Sequence, residues 1–323
     1  MAHNSGHGRV DHGFFIWMKM EAEKLKGFVI NTQKGIFKVK DSANGNVVNC
    51  TLRGKLFKQL QNKKSLVVVG DEVEYQPVYG GKGVITEIMP RKSKLSRKGA
   101  GKKGRHQEQI IAANIDYALL VFSVEDPPYK LNLIERYIVS AEAGNIEPII
   151  CFTKIDLTEN GDYEKDVAYL RNRGYKVFKT SSVTRKGIDM LRKELENMKT
   201  VLAGSSGVGK STLINLLFED EMAKTSEVSS SHYKGRHTTT SSTVYELPFG
   251  GLIIDVPGMR EFGIIDDSSG IERTFSDIVE IAENCKFRNC SHTHEPGCAV
   301  KEAVENGKLD ERRYLNFLKL MQK

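Results

Sequence analysis

The strongest constraint on the fold of this chain is a glycine-rich segment that lies between an apolar strand and a helix. The strand is predicted over residues 199–204 and the helix over residues 209–218, and the segment between them fits the pattern G-x-x-x-x-G-K-[ST]. Glycine has no side chain to block converging backbone N–H groups, so such a loop can surround phosphates. The sequence therefore predicts a P-loop formed by Gly204, Ser205, Ser206, Gly207, Val208, Gly209, Lys210, Ser211 and Thr212.

Three groups of a P-loop meet the phosphates of a bound nucleoside triphosphate. The ammonium group of Lys210 contacts the β- and γ-phosphates, where we expect it to act in catalysis. The hydroxyl group of Ser211 binds Mg²⁺, and the positive end of the helix faces the phosphates. A glycine turn without a ligand is the alternative, and it is disfavoured because the strand and the helix flank the motif as a P-loop requires.

Two further motifs predict residues around the γ-phosphate. Asp255 ends the apolar strand GLIIDV, where a carboxylate can hold Mg²⁺ through water, and Gly258 can offer its N–H group to the γ-phosphate. The segment GRHTTT (235–240) precedes that strand, and we expect one of its threonines to bind Mg²⁺ and to act in catalysis. We favour Thr239, with Thr238 and Thr240 as alternatives. The alternative is that the three threonines only begin the next strand, because threonine favours β structure.

A base-recognition motif, Thr153-Lys154-Ile155-Asp156, follows the apolar strand EPIICF. The carboxylate of Asp156 can accept hydrogen bonds from N1–H and the 2-amino group of guanine, whereas adenine lacks both donors. Ser181 and Ser182 follow the next predicted strand, where a loop can donate to guanine O6. The motif therefore predicts GTP and GDP as ligands, although T-K-x-D alone is common in surface loops.

Apolar strands alternate with helices around these motifs, and the alternation extends over residues 111–265. It predicts a doubly wound α/β domain that binds its ligand outside the carboxyl ends of the strands. The chain contains no run of about 18 apolar residues, so we expect no membrane partner.

Residues 21–90 have a different pattern of five short strands, separated by turn signals such as Asn44-Gly45 and Gly80-Gly81. Five short strands predict a small β-barrel. We favour an OB-type barrel, whose surface often binds oligonucleotides, over an SH3-like barrel with the same pattern. Residues 1–20 contain scattered His and Gly, and we interpret them as a tag-like or disordered extension.

Positive charge is concentrated after the predicted barrel. The chain has 48 Lys and Arg against 41 Asp and Glu, a formal net charge of +7, and residues 91–105 contain eight of the basic residues and no acidic one. The rest of the chain therefore has 40 basic and 41 acidic residues. We predict a flexible basic linker over residues 91–110 that contacts a polyanion, with a merely solvated linker as the alternative.

The last predicted unit, residues 266–323, is a helical module with a cysteine cluster. Cys285, Cys290 and Cys298 lie within fourteen residues, with His292 and His294 between them. Five cysteines in this length are too few for a disulfide framework, so the spacing favours one structural zinc ion in a reducing compartment. A set of reduced, buried cysteines is the alternative. Zinc would stabilise a segment whose apolar content is too small for its own core.

The base motif precedes the P-loop here, whereas most GTPases have the reverse order, so the chain is expected to be circularly permuted. Surface termini that lie close together make such a permutation physically tolerable. With an N-terminal barrel and a C-terminal Cys/His cluster, residues 25–323 resemble the RsgA (YjeQ/EngC) family of permuted P-loop GTPases. The resemblance includes the segments VGDEV (69–73), HQ (106–107), AANID (112–116), GRHTTT (235–240) and the cysteine segment.

The resemblance implies a cytoplasmic, monomeric GTPase that binds the small ribosomal subunit and its rRNA during late maturation. It also implies faster hydrolysis on the subunit, release after hydrolysis and contact with other assembly factors. The family pattern Cys-x-His selects His292, rather than His294, as the fourth zinc ligand beside the three cysteines.

Two positions depart from common GTPase patterns. Many GTPases have Asn where this chain has Thr153, which affects nucleotide affinity more than base choice. Many also have Gln where this chain has Met259, a side chain that cannot orient water. His237 is the nearest candidate for that catalytic task, and the resemblance indicates the same histidine. A solvent-facing histidine and a group supplied by the ribosome are the alternatives.

Two rival functions use the same motifs. The chain would be an RNA-binding assembly scaffold if its nucleotide were only a structural ligand. A P-loop kinase is disfavoured because the sequence has no evident second basic lid or acceptor site, and Asp156 favours guanine.

Overall fold

The structure is a computed structural model that describes residues 24–33, 35–60, 67–98, 108–158, 161–222, 243–256 and 268–321. The predicted extension, residues 1–20, lies outside these ranges. Three units follow one another along the chain: a barrel, an α/β domain and a helical module. The exact domain boundaries stay predictions.

The N-terminal unit is a closed barrel of five strands in the order β1-β2-β3-β5-β4, with a short helix between β3 and β4. β3 pairs with β5 in parallel and the other neighbours are antiparallel. This arrangement confirms the OB-type barrel. The elements are β1 (Leu25–Gln33), β2 (Ile36–Asp41), β3 (Val47–Leu52), α1 (Gly54–Leu60), β4 (Glu72–Val78) and β5 (Lys82–Ile88).

Alternation along the barrel strands separates a buried face from an exposed one. Val29, Val39, Cys50, Tyr75 and Ile85 are fully or almost fully buried and form most of the barrel core. Residues that alternate with them, such as those at 38, 49 and 82, lie on the outer face.

The prediction of an unstructured linker is wrong at both ends of residues 91–110. β6 (Lys94–Lys98) and β7 (Glu108–Ala113) form a two-stranded antiparallel ribbon. Leu95 is buried in the core of the α/β domain, which anchors the ribbon despite its high charge. Residues 99–107 lie outside the described ranges, so the predicted polyanion contact of that segment stays a prediction.

Arg91 is also not available as part of a basic contact surface. Its guanidinium group donates two hydrogen bonds, of 2.7 and 2.8 Å, to the carboxylate of Asp71, which is fully buried. Asp71 also accepts a bond from the backbone N–H of Val68. The arginine thus neutralises a buried charge of the barrel.

The α/β domain contains a six-stranded sheet in the order β10-β9-β8-β11-β13-β12, in which only β12 runs antiparallel. Helices cover both faces and enclose two separate apolar cores. The predicted doubly wound fold is confirmed. Its elements are β8 (Tyr117–Ser123), α2 (Leu131–Ala143), β9 (Glu147–Thr153), α3 (Tyr163–Asn172), β10 (Lys176–Lys179), α4 (Ile188–Leu195), β11 (Lys199–Ala203), α5 (Lys210–Met222), β12 (Thr243–Glu246) and β13 (Leu252–Asp255).

Two segments interlock where the barrel joins the α/β domain. A Cβ atom on Gly70, whose φ is 90°, would lie 1.9 Å from the carbonyl oxygen of Ala113, so only glycine fits there. The side chain of Asn114 donates to the carbonyl of Gly70 at 3.0 Å and accepts from the N–H of Lys92 at 2.9 Å. These contacts explain the VGDEV and AANID segments as a structural junction.

The C-terminal module consists of α6 (Ser268–Thr274), α7 (Ser276–Ala282), α8 (Ala299–Glu305) and α9 (Glu311–Met321). Its apolar core includes Phe275 and Phe317 together with Val139 of α2. A Cβ atom on Gly270 would lie 2.4 Å from the carbonyl oxygen of Val139, so α6 lies directly against α2. The module is therefore packed onto the α/β domain.

A buried ionic network strengthens this packing. Arg313 of α9 is 2% exposed, and its guanidinium group contacts Asp277 at 2.6 Å and Glu135 of α2 at 3.2 Å. Glu135 also accepts a 2.7 Å hydrogen bond from the hydroxyl group of Tyr169 on α3. Each buried charge therefore has partners, which is the condition for tolerating charge in a protein interior.

No helix in the described ranges is long and apolar enough to cross a lipid bilayer.

Candidate functional site

The predicted P-loop occupies the turn between β11 and α5. Gly204, Gly207 and Gly209 have φ values of 154°, 83° and 91°, which L side chains rarely adopt. A Cβ atom on Gly204 would lie 2.4 Å from the carbonyl oxygen of Val121 on the neighbouring strand. Glycine is therefore required both for the loop's path and for its contact with the sheet.

Lys210 lies at the first position of α5, and its side chain folds back over the loop. Its ammonium group donates to the carbonyl oxygens of Gly204 at 2.6 Å and Ser205 at 2.7 Å. Val208 is buried under the loop, whereas Ser206, Ser211 and Thr212 are exposed. The hydroxyl group predicted to bind Mg²⁺, on Ser211, is thus accessible.

Asp255 lies at the end of β13, beside the strand that leads into the P-loop. Its register partner on β11 is Leu202, two residues before Gly204. Burial raises the pKa of the Asp255 carboxyl above its ordinary value, and the nearby charge of Lys210 opposes this rise. The structure thus places the predicted magnesium-holding carboxylate near the P-loop lysine.

The base motif joins the same site from β9, which β8 separates from β11 in the sheet. The buried hydroxyl group of Thr153 donates to the carbonyl oxygen of Val208 at 2.6 Å and lies 3.3 Å from that of Phe122. Thr153 therefore stabilises the P-loop through a hydrogen bond to its backbone. Its direct contact with a nucleotide stays a prediction.

Lys154 and Asp156 follow at the carboxyl edge of the sheet. Lys154 takes a left-handed conformation with φ 58°, and its ammonium group bonds to the carbonyl oxygen of Asp126. Asp156 lies in a short 3₁₀ helix, Ile155–Leu157, and its side chain is exposed. An exposed carboxylate at this edge is free to accept from a base.

The two serines of the next loop have different environments. Ser181 is buried, and its hydroxyl oxygen accepts from the N–H groups of Val183 at 3.2 Å and Thr184 at 3.0 Å. Ser182 is exposed. The side chain of Ser181 therefore shapes the loop, and Ser182 is the one with an accessible hydroxyl group for guanine O6.

Sequence analysis missed the turn after β8, which borders the P-loop. A Cβ atom on Gly207 would lie 3.4 Å from Cδ of Pro127, and the hydroxyl group of Ser123 fixes this turn by donating to the carbonyl of Pro127 at 2.6 Å. The available signal was the Asp-Pro-Pro segment at the carboxyl end of a buried strand.

The predicted residues of the switch segments before β12 and after β13 fall outside the described residues. They are the candidates for catalysis in segment 235–240, His237 and Thr239, and the glycine expected at the γ-phosphate, Gly258; the alternatives Thr238 and Thr240 and the position of Met259 lie outside the described ranges as well.

The cysteine cluster forms a compact set of ligand atoms. Those of Cys285, Cys290, His292 and Cys298 all lie within 4.8 Å of one another. The sulfur atoms of Cys285 and Cys298 are 3.9 Å apart, and Nδ1 of His292 is 3.6 and 3.5 Å from them. Tetrahedral zinc with Zn–S bonds of about 2.3 Å requires sulfur atoms about 3.8 Å apart. The donor set and spacing fit zinc.

Contacts of the backbone and ring orient His292 toward the cluster. Its carbonyl oxygen accepts a 2.6 Å hydrogen bond from the hydroxyl group of Tyr314, and its ring lies 6.1 Å from that of Phe317. His294 is exposed and contacts the hydroxyl group of Thr293 instead. The selection of His292 over His294 agrees with this geometry.

Comparisons with known proteins match this architecture. The family profile described as RsgA GTPase matches residues 88–265. A Chlorobaculum parvum protein named small ribosomal subunit biogenesis GTPase RsgA is 39% identical over 310 residues, which cover 93% of this chain and 98% of that protein. A Caldanaerobacter subterraneus relative of the same name is 35% identical over 300 residues, covering 93% of this chain and 96% of that protein.

Two solved structures share the fold over nearly their full lengths. YjeQ from Thermotoga maritima superposes with a TM-score of 0.71 at 32% identity, covering 92% of this chain and 97% of that one. YloQ, described as a circularly permuted GTPase, gives 0.69 at 32% identity and covers 98% and 97%. This chain belongs to the RsgA GTPase family and is a GTPase with circularly permuted motifs.

Proposed function

We propose that this GTPase binds the small ribosomal subunit through its rRNA during late maturation and leaves after hydrolysing GTP. The observation that carries the nucleotide chemistry is the 2.6 Å hydrogen bond from Thr153 to Val208, which joins the guanine motif to the phosphate loop. The names of the relatives, which describe small ribosomal subunit biogenesis GTPases, support the ribosomal role.

The exposed edge of the sheet accommodates one guanine nucleotide. Asp156 accepts from the base, and the backbone N–H groups of residues 204–212 surround the phosphates. The ammonium group of Lys210 exchanges its carbonyl partners, Gly204 and Ser205, for the β- and γ-phosphate oxygens when GTP enters. It thereby stabilises the charge that develops as the γ-phosphoryl group is transferred to water.

Ser211 and Thr239 would hold Mg²⁺ directly and Asp255 through water, and the ion would neutralise phosphate charge. Ser182 would donate to guanine O6, and Gly258 would donate its N–H group to the γ-phosphate. We assign His237 the positioning of the attacking water. Single-turnover hydrolysis by a His237→Ala variant tests this assignment, since unchanged hydrolysis at saturating GTP would contradict it.

The cysteine cluster would hold one zinc ion per chain. Its four protein ligands leave no open position for water, so its role is structural. It would fix the loop between α7 and α8, which supplies all four ligands.

The protein is a cytoplasmic monomer in this proposal. Its partners are the small subunit, its rRNA and other assembly factors. Turnover of GTP measured with added small and large subunits tests the proposal. We expect small subunits, but not large subunits, to stimulate GTP turnover. If nucleotide were only a structural ligand of an RNA-binding scaffold, turnover would stay at its unstimulated rate in both mixtures.

A further inference from the structure

The turn that joins β8 to α2 runs alongside the base motif. It consists of residues 124–130, and we call it the proline turn because it contains two consecutive prolines. The N–H group of Val124 donates to the carbonyl oxygen of Thr153 at 3.1 Å. The carbonyl oxygen of Asp126 accepts a hydrogen bond from the ammonium group of Lys154. The proline turn is therefore attached to two successive residues of the base motif.

The opposite side of the proline turn lies against the P-loop. A Cβ atom on Gly207 would lie 3.4 Å from Cδ of Pro127, which is van der Waals contact. The hydroxyl group of Ser123, a fully buried residue, donates to the carbonyl oxygen of Pro127 at 2.6 Å. The proline turn thus contacts both the base motif and the P-loop, and a displacement of the turn would disturb both.

Tyr129 anchors the end of the proline turn that leads into α2. Its hydroxyl group donates a 2.8 Å hydrogen bond to the carboxylate of Asp166 on α3, and its ring packs edge-on against Phe152 with the ring centroids 4.9 Å apart. Burial raises the pKa of the Tyr129 hydroxyl group above its ordinary value, and Asp166 raises it further, so the group remains a donor at neutral pH. The side chain of Asp166 is 16% exposed and also lies 3.5 Å from Arg312 of α9.

The proline turn depends on these anchors because its residues belong to no helix or strand. An irregular segment that loses an anchor samples other positions more often. A ligand that binds with the segment in only one position is then bound more weakly, in proportion to the fraction of molecules that have the segment in that position. The affinity of the nucleotide site should therefore depend on contacts that no nucleotide atom makes.

We propose that Tyr129 is a positioning residue of the nucleotide site: through its bond to Asp166, it holds the proline turn against the base motif and the P-loop. This inference rests on the proposed binding of one guanine nucleotide by Asp156 and the P-loop. Loss of the bond lowers nucleotide affinity but not the rate of hydrolysis at saturating GTP, because the bound nucleotide itself selects the molecules with the turn in place.

Equilibrium titration of the full chain with a fluorescent GDP analogue tests the inference. Tyr129→Phe removes the donor and keeps the ring, and GDP affinity is expected to fall by about 5- to 20-fold. Asp166→Ala removes the acceptor and should lower the affinity to a similar extent. Asp166→Asn keeps an acceptor oxygen for Tyr129 and should bind GDP within about 2-fold of the unaltered chain. Single-turnover hydrolysis at saturating GTP should be equal in all three variants and the unaltered chain.

Tyr169→Phe is the matched control. The hydroxyl group of Tyr169, on the same helix as Asp166, also donates to a buried carboxylate, but that carboxylate belongs to Glu135 and the bond of 2.7 Å does not involve the proline turn. Tyr129→Phe and Tyr169→Phe each remove one tyrosine–carboxylate bond, so urea unfolding should show similar losses of stability. GDP affinity should fall only in Tyr129→Phe.

Three results would overturn the inference: equal GDP affinity in Tyr129→Phe and Tyr169→Phe, a fall in Tyr129→Phe that Asp166→Ala does not share, or a lower rate of hydrolysis by Tyr129→Phe at saturating GTP. Asp156→Asn is titrated in parallel. Equal GDP affinity in Asp156→Asn contradicts the proposed nucleotide site. Loss of affinity in that variant together with unchanged affinity in Tyr129→Phe contradicts only the positioning role of Tyr129.

Discussion

Thr153 donates a 2.6 Å hydrogen bond from its hydroxyl group to the carbonyl oxygen of Val208, across 55 residues of sequence. The bond joins the end of β9 to the P-loop, although one strand, β8, lies between β9 and β11 in the sheet. Base and phosphate recognition are therefore physically connected in a chain whose motif order is reversed.

Replacement of Thr153 by Val removes this hydroxyl group and keeps the shape of the side chain. We expect GDP affinity to fall by about 5- to 160-fold, because an unpaired buried carbonyl costs about 1–3 kcal/mol. Titration with a fluorescent GDP analogue measures the change. Thr153→Ser retains a hydroxyl donor and should bind nearly as the unaltered chain does. Equal affinity in the Val variant would show that the bond does not support the loop.

Gly70 and Gly80 provide a matched pair at the barrel. Both have strongly positive φ values, 90° and 83°, but only a Cβ atom on Gly70 would collide with another segment, 1.9 Å from the oxygen of Ala113. Gly80→Ala is expected to cost about 1–2 kcal/mol from φ alone. Gly70→Ala should cost clearly more, about 3 kcal/mol or above, because the junction must separate. Urea unfolding measures both, and similar losses would refute the close approach.

Arg313 and Arg312 are neighbours on α9 with opposite environments. Arg313 is 2% exposed, whereas the side chain of Arg312 is 63% exposed. Arg313→Ala leaves Glu135 without its buried cationic partner, and we expect the free energy of unfolding to fall by about 3–5 kcal/mol. Arg312→Ala should change it by about 1 kcal/mol or less. Thermal unfolding of the two variants decides whether the network holds the C-terminal module on α2.

Zinc binding by the cysteine cluster predicts a specific metal content. Elemental analysis should find one zinc ion per chain, and Cys290→Ser should release it, with loss of helical signal from the C-terminal module. His294→Ala is the control, because His294 lies outside the ligand set and contacts Thr293. Zinc loss on changing His294, or a full zinc content in Cys290→Ser, would contradict the assignment.

Patterns that depend on local sequence were predictable. Each of these patterns depends on residues that are close together in sequence: the alternating strands and helices, the glycines of the P-loop and the Cys/His spacing. The structure confirms the elements that they predict. Reversed motif order also agrees with the observed sheet, because β11 lies centrally while the β9 motif lies only two strands away.

Features that depend on tertiary partners were not predictable. Leu95 is a single apolar residue among lysines, and its burial in the α/β core fixes β6 together with the pairing to β7. The partner of Arg313, Glu135, is 178 residues away in sequence. The sequence gives Ser181 the right chemistry for a base contact, but not the burial of its side chain or the two local N–H groups that donate to its hydroxyl oxygen. Sequence patterns carry the residue type in each case but not the partner that determines its role.

The central claim is that Asp156 and the P-loop bind one guanine nucleotide together. Equilibrium titration of Asp156→Asn with GDP, ADP and xanthosine diphosphate tests it most directly. An amide cannot accept from both guanine donors, so GDP affinity should fall about 100-fold or more, while xanthosine diphosphate, whose 2-oxygen accepts from the amide, should bind better than GDP. Equal GDP affinity in the variant, or equal binding of ADP and GDP by the unaltered chain, would contradict the claim.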